Sequence, residues 1–232
     1  MNWGKGPLVR IEVWSDVACP WCYVGSARLD RAIAATGLDV EVVYRAFELD
    51  PNVPTDGPPL LDYLARKFGD RSRVQAAHAR LTDAGSELGI DFRWSQMRRA
   101  NTFDAHRLLV WALRTEGTAA QGRLERALLR AYFTEGRDVT DHEVLADLAA
   151  DIGLDRAAAA DALATGAETD TVRMEEAAAH QNGIAAVPTF VIEGRWMLQG
   201  AMETEKWVRA LPRLQAELDA ERAQGAEGAE NA

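Results

Sequence analysis

Strand-like patterning is confined to the two ends of this 232-residue chain, and a long helical stretch separates them. At the N-terminal end, Leu8-Val9-Arg10-Ile11-Glu12-Val13-Trp14 alternates apolar and charged residues, the period of a half-buried strand. A short loop, Ser15 to Ala18, leads into a helix from near Cys19 to Thr36, with Leu29, Ala32 and Ile33 on its apolar side and Gly37 as its stop. Leu38 to Tyr44 reads as a second strand. Near the C-terminus, Thr189-Phe190-Val191-Ile192, the turn Glu193-Gly194-Arg195 and Trp196-Met197-Leu198 predict a hairpin. A last helix follows from about Glu203, with Trp207, Val208, Leu211, Leu214 and Leu218 on one face. Pro212 inside it predicts a kink or a restart. The fold class is α/β, in the order β-α-β, helical block, β-β-α. Patterning alone does not show that the two ends meet in one sheet.

From Asp50 to Pro59 four prolines and a glycine mark a loop. Leu60 to about Gly183 is then helical in pattern. Leu60–Phe68 and Arg71–Leu88 are two candidate helices. Ala105, Leu108, Leu109 and Ala112 follow helical spacing, as do Leu124, Leu128, Ala131 and Tyr132. Thr140-Asp141-His142-Glu143 is a capping-box pattern with Val139 and Val144 as its staple, opening a helix that buries Leu145, Leu148 and Ile152. Asp155–Leu163 and Glu168–Gln181 are weaker, alanine-rich helices.

Apolar residues make up 47% and charged residues 27%, ordinary for a globular chain. The net charge of -10, without a basic stripe, argues against nucleic acid as a partner. No apolar run approaches the roughly 20 residues that span a bilayer, so no membrane partner is expected. Met1 to Pro7 has no apolar leader core, which makes a cytoplasmic location the expectation. The acidic end, residues 221–232, reads as a flexible tail.

The chain has two cysteines, and they stand three residues apart as Cys19-Pro20-Trp21-Cys22. Alone they cannot supply the four ligands of a structural zinc site, and His78, His106, His142 and His180 show no zinc spacing to them, so no metal is expected. On the first turn of a helix the two sulfurs share a face and can close one disulfide. The unpaired N–H groups and the dipole at a helix start favour an anion, and Pro20 suits the first helical position. Cys19 is therefore read as the exposed, attacking thiol and Cys22, one turn further in, as the buried, resolving thiol. Trp21 presents an apolar face beside Cys19. Pro188 stands immediately before a strand, where proline is tolerated.

The order strand, Cys-Pro-Trp-Cys, helix, strand, helical insertion, Val-Pro-Thr-Phe and hairpin resembles the DsbA-like branch of the thioredoxin superfamily. The likeness is greatest to its FrnE-type cytoplasmic group. It rests on Ser15 to Gly25, on Asn101-Thr102 with Ala105-His106-Arg107, and on Gly183 to Phe190. The resemblance implies a thioredoxin-like fold, a mixed central sheet with flanking helices, from residues 1–55 and 184–220. Residues 56–183 would form a large all-helical insertion domain. It implies a cis Pro188 packed against the cysteines and a groove in which Trp21, Val187, Thr189, Asn101 and Thr102 meet substrate. The activity implied is thiol–disulfide oxidoreduction of protein or small-molecule disulfides and thiols. No cofactor would be bound; an external thiol reductant or oxidant, such as glutathione or a thioredoxin-type partner, would complete the cycle. The chain would act as a monomer or homodimer.

Two other readings stand beside this one. A glutathione-dependent isomerase or transferase of aromatic or polyketide-like compounds, of kappa-class type, shares the architecture but carries serine where Cys19 stands. A non-enzymatic binding module would not need Cys19. Asn101 and Thr102 most simply cap the helix that begins near Phe103, and His106 reads as a structural histidine. Asp16 and Glu12 are either tuners of the thiols or surface charges.

Overall fold

The computed structural model describes residues 9–53, 69 and 71–230. The candidate helix Leu60–Phe68 lies outside the described residues. Strand β1 (Val9–Ser15) pairs in parallel with β2 (Val40–Ala46), Val9 opposite Val40 and Ser15 opposite Ala46. On its other side β1 pairs antiparallel with β3 (Thr189–Ile192), Trp14 opposite Thr189. Strand β4 (Trp196–Gln199) pairs antiparallel with β3, giving the order β2-β1-β3-β4. The two ends of the chain therefore build one mixed sheet. β1 lies inside it, and Val9, Ile11 and Val13 are fully buried. The hairpin turns on Glu193 and Gly194, both with positive φ (52° and 65°), closed by the Arg195 N–H donating to the Ile192 carbonyl at 2.9 Å. Positive φ at both central residues matches the right-handed twist of the strands.

Helix α1 (Pro20–Thr36) begins with proline in its first turn and ends on Gly37, whose φ of 64° lets its N–H reach the Ile33 carbonyl. Between β2 and β3 come α2 (Arg71–Ser86), α3 (Phe103–Glu116), α4 (Thr118–Arg130), α5 (His142–Asp151), α6 (Arg156–Ala164) and α7 (Thr169–Gln181). Ala131–Glu135 extends α4 by a π turn. Helix α8 (Thr204–Glu230) closes the chain.

Two details differ from the sequence reading. Thr140 does not cap α5. Its N–H and hydroxyl both donate to the Asp138 carboxylate, at 3.0 and 2.7 Å, and Asp141 takes the cap by accepting the Glu143 N–H. An Asx turn one step upstream outcompetes the capping box. Helix α8 is assigned continuously through Pro212 and on to Glu230, into the stretch read as a tail. Alanine, glutamate, arginine and glutamine are good helix formers, and Glu221 pairs with Arg195 at 2.8 Å.

The core has two main parts. One gathers Val9, Ile11, Val13, Leu29, Phe190, Trp207 and Leu211 between the sheet, α1 and α8. The other gathers Leu108, Leu124, Leu128, Phe133, Leu145 and their neighbours among the helices that follow β2. Helix α1 takes part in both: Leu29 and Ala32 face the sheet-side core, while Val24 joins the helical one. The residues just after β1 thus lie where the two cores meet.

Candidate active site

Strand β1 ends at Ser15, and Asp16 turns the chain. Its carboxylate accepts the N–H of Ala18 at 2.9 Å and that of Leu49 at 2.7 Å, while its carbonyl accepts the Cys19 N–H at 2.9 Å. Such a turn places Cys19 at the N-cap of α1, in extended geometry (φ −96°, ψ 112°), with Pro20 behind it. The Cys19 carbonyl takes the Cys22 N–H at 3.0 Å. Asp16 is 2% exposed, so it is an internal organiser of this loop rather than a surface charge. Glu12 instead pairs with Arg45 and Arg10.

The two cysteines are in the dithiol form. Cys22 is fully buried, and Cys19, expected to be exposed, is itself only 4% exposed. The cause is the loop before β3. Because Thr189 lies opposite Trp14, Val187 and Pro188 come level with the end of β1 and fold over the first cysteine. The Cys19 thiol donates to the Val187 carbonyl at 3.6 Å. The Val187–Pro188 peptide bond is cis. The Gly200 N–H donates to the Pro188 carbonyl at 2.7 Å. Gly25, on α1, leaves room for the proline ring: a Cβ there would meet Pro188 Cγ at 3.0 Å and Phe190 Cζ at 3.3 Å.

An open cleft of about 660 Å³ lies over this arrangement, lined by Trp21, Val187, Pro188, Gly200 and, from α2, Arg80 and Ala84. Trp21 is 38% exposed, the most open residue of the cysteine motif. Arg28 braces the cleft's far wall, donating to the Ala201 carbonyl at 2.8 Å and pairing with Glu203 at 2.7 Å. The stretch Gln199 to Ala201, given no role in the sequence reading, contributes to this lining.

Three residues assigned to substrate are placed otherwise. Thr189 is fully buried and its hydroxyl donates to the Ala186 carbonyl at 2.7 Å, so its side chain shapes the loop. Asn101 accepts the Phe103 N–H at 3.1 Å and thus caps α3 from one position before Thr102, which makes no side-chain cap bond. Neither Asn101 nor Thr102 lines the cleft. A second groove, of about 490 Å³, runs between β2 and α4 beside Asp30, Glu41, Tyr44 and Arg126, and its lining includes no residue of the Cys19–Cys22 motif.

Behind Cys22 lies a buried polar pocket. Burial raises the Cys22 thiol well above its ordinary value, and the Cys19 thiol beside it adds to this. The Asp16 backbone N–H and the Ser15 hydroxyl oppose both by favouring the anion. Ser15 donates to Glu125 Oε1 of α4 at 2.6 Å, and both residues are fully buried. Burial pushes the Glu125 carboxyl up to about 7, against the Ser15 hydrogen bond and the nearby His106. His106, 2% exposed, would be lowered by burial. Asp16, 3.8 Å away, together with Glu125 and Glu48, outweighs burial and raises it. One turn before Glu125, Gln121 accepts the Tyr44 N–H and donates to the Tyr44 carbonyl, both at 2.9 Å, covering the β2 edge.

Glu125 was missed by the sequence reading, yet a signal for it exists. At about 100° per residue it falls between Leu128 and Leu129 on the helical wheel, inside the apolar arc of α4. A carboxyl there is buried if the arc is.

Comparison with known proteins identifies the family and the fold. A family model for the DSBA-like thioredoxin domain matches residues 10–212. The chain is 30% identical over 210 residues to the uncharacterized protein YwbO of Bacillus subtilis, covering 88% of this chain and 96% of that protein. Among solved structures, a probable DsbA oxidoreductase of Streptomyces coelicolor is 38% identical, with a TM-score of 0.82 over 90% of this chain and 91% of that one. The cytosolic disulfide reductase DsbM of Pseudomonas aeruginosa shares the fold at 20% identity, with a TM-score of 0.60 over 93% and 99% of the two chains.

Proposed function

Because this chain belongs to the DSBA-like thioredoxin domain family, we propose that it is a thiol–disulfide oxidoreductase that works through Cys19 and Cys22. The observation that carries the reading is the dithiol at the start of α1 beneath the Val187–Pro188 loop, with an open cleft beside it. Cys19 attacks the substrate disulfide and forms a mixed disulfide, expelling one thiolate. Cys22 then attacks Cys19, expels the second, and leaves an internal disulfide. A cellular thiol, glutathione or a thioredoxin-type protein, restores the dithiol. The substrates are protein or small-molecule disulfides that fit between Trp21 and Val187, in the cytoplasm. There the dithiol is the resting form. The cytosolic reductase of the same fold supports that location. Among the described residues no helix is long and apolar enough to cross a membrane.

The burial of Cys19 fits this cycle. Attack requires the Cys19 thiol to leave the Val187 carbonyl, which frees that carbonyl for a backbone N–H or thiol of the incoming substrate.

The test is a trapping experiment. Cys22→Ser should accumulate mixed disulfides on Cys19, and mass spectrometry of the trapped species identifies the substrate. Recovery of none, or an unchanged turnover of a model disulfide by Cys19→Ser, would sink the reading.

A further inference from the structure

Strand β2 is an outer strand of the sheet, so one side of its backbone has no neighbouring strand. Along a strand the peptide groups that face outward recur at every second residue. The bonds made by Tyr44 and Ala46 show which residues these are. Tyr44 exchanges two hydrogen bonds with the Gln121 amide, both at 2.9 Å, and the Ala46 N–H donates to Glu175 Oε2 at 2.8 Å. Gln121 thus stands where a residue of a paired strand would stand, and Glu175 covers the next outward group. By the same alternation, the outward groups in the first half of β2 belong to Val40 and Val42. Among the described residues nothing bonds to them on that side.

Val40 and Val42 are half-buried and line the groove of about 490 Å³ between β2 and α4. On the α4 wall the lining residues are Thr118, Ala119 and Gly122, with no long side chain before Arg126. A Cβ at Gly122 would meet Arg126 at 3.6 Å and Tyr44 at 4.0 Å, ordinary contacts, so the space in front of it is open. Helix α4 therefore covers the strand edge at Tyr44 and leaves a slot beside Val40 and Val42. Three carboxylates line that slot, Asp30, Asp39 and Glu41, against one guanidinium, Arg126. Arg126 pairs with Asp30 at 3.1 Å and Arg10 reaches Glu41 at 3.8 Å, while Asp39 has no ion-pair partner among the described residues. Burial raises the Asp30 carboxyl even beside Arg126. The slot has room for one more positive charge.

We propose that Val40 to Val42 is a docking site for a short extended segment of another protein that carries a lysine or arginine. The segment adds a strand to β2. Its residues opposite Val40 and Val42 exchange backbone hydrogen bonds with them, as the Gln121 amide does with Tyr44. Because strand side chains alternate, those residues point to the face of the sheet where Val42 packs with α1, and the residue between them points to the face of Glu41. A second copy of this chain does not suit the slot: the chain carries a net charge of -10 and would bring the same acids to it. The lining contains no residue of the Cys19–Cys22 motif, so a segment docked here leaves the cleft over Cys19 free.

Amide hydrogen exchange on the full chain, followed by NMR, tests the site. In the free protein the Val40 and Val42 amides should be about tenfold less protected than those of Val43 and Arg45, which point toward β1. The probe is the acetylated and amidated peptide Thr-Val-Lys-Val-Thr. When bound it should raise protection at Val40 and Val42 about fivefold and leave Val43 and Arg45 unchanged. The same peptide with glutamate in place of lysine should bind about tenfold more weakly. Val42→Pro removes one outward N–H and spares the pairing with β1; it should weaken binding of the lysine peptide about tenfold. Gly122→Leu, which fills the slot from α4 without touching the strand, should do the same. No binding of the lysine peptide, equal binding of both peptides, or binding unmoved by the two variants overturns the proposal. So does an edge already protected in the free protein: protection independent of concentration means that the chain covers its own edge, and protection that grows with concentration means that a second copy does. The peptide has no sulfur, and model-disulfide turnover should stay within about twofold while it is bound. Failure here therefore leaves the roles of Cys19 and Cys22 untouched, and loss of turnover in Cys19→Ser says nothing about this edge.

Discussion

Cys19 and Cys22 are one helical turn apart, but different parts of the chain surround them. Over Cys19 lie Val187 and Pro188 of the loop before β3, and the only motif residue that opens widely to solvent is Trp21. Behind Cys22 stand Ser15 and Asp16 at the end of β1, with Glu125 and His106 from the helices that follow β2. The first surroundings are an open cleft whose lining mixes Trp21, Val187 and Pro188 with Arg28, Arg80 and Glu203. The second are dry and dense in titratable groups. Under the proposed function, Cys19 opens toward a solvent-facing cleft wide enough to admit different partners. Cys22 is enclosed among groups whose protonation is shifted by burial and by one another.

Four substitutions test that contrast, from the largest effect to the smallest. Cys19→Ser should remove disulfide exchange altogether, measured as loss of model-disulfide turnover, while leaving the fold intact by circular dichroism. Glu125→Gln should change how stability depends on pH. The Glu125 carboxyl is raised in the folded chain to about 7 from an ordinary value of 4.5. The folded state therefore resists an ionisation that the unfolded chain undergoes freely. Below about pH 4.5 Glu125 is neutral in both states and subtracts nothing. Between there and about 7 the unaltered protein loses stability, on the order of 3 kcal/mol from this group. Urea titrations at about pH 5 and pH 8 should show the variant gaining on the unaltered protein by up to that amount at the higher pH. A difference independent of pH would mean that Glu125 titrates normally and that the inner pocket is not as dry as its burial implies.

Gly25→Ala probes the substrate side. The added Cβ crowds the Pro188 ring at 3.0 Å, a packing strain of about 1–3 kcal/mol that the better helix propensity of alanine partly offsets, by about 1 kcal/mol. The net loss in melting experiments should be near 1 kcal/mol, with the Cys19 step slowed more than the Cys22 step. Trp21→Ala should leave stability within about 0.5 kcal/mol, as expected for a side chain that remains partly in solvent. It should lower the exchange rate several-fold for a folded protein disulfide and much less for a small one. Equal effects on both substrates would show that Trp21 serves the helix start rather than the cleft.

Much of this architecture is legible in the residues themselves. The alternation of β1, the run of Cys19-Pro20-Trp21-Cys22 into α1 and the stop at Gly37 are local matters of period, capping and backbone freedom, and they emerge close to where they were read. The hairpin at Glu193-Gly194 is likewise a property of its turn residues. Local competition misled the reading at Thr140, which donates to the Asp138 carboxylate while Asp141 accepts the free N–H at the helix start.

The sequence by itself determined where the two thiols stand and their order along the helix, because spacing and helix polarity are local. Only the tertiary structure decided that Cys19 is covered, that Thr189 points inward, and that a glutamate 110 positions from Ser15 reaches its hydroxyl. Those outcomes depend on where separate elements dock: β3 beside β1, and the apolar arc of α4 against the end of the sheet. A glutamate inside such an arc is a surface charge or a buried acid according to what covers it, and that is settled by packing between distant segments, not by its neighbours in the chain.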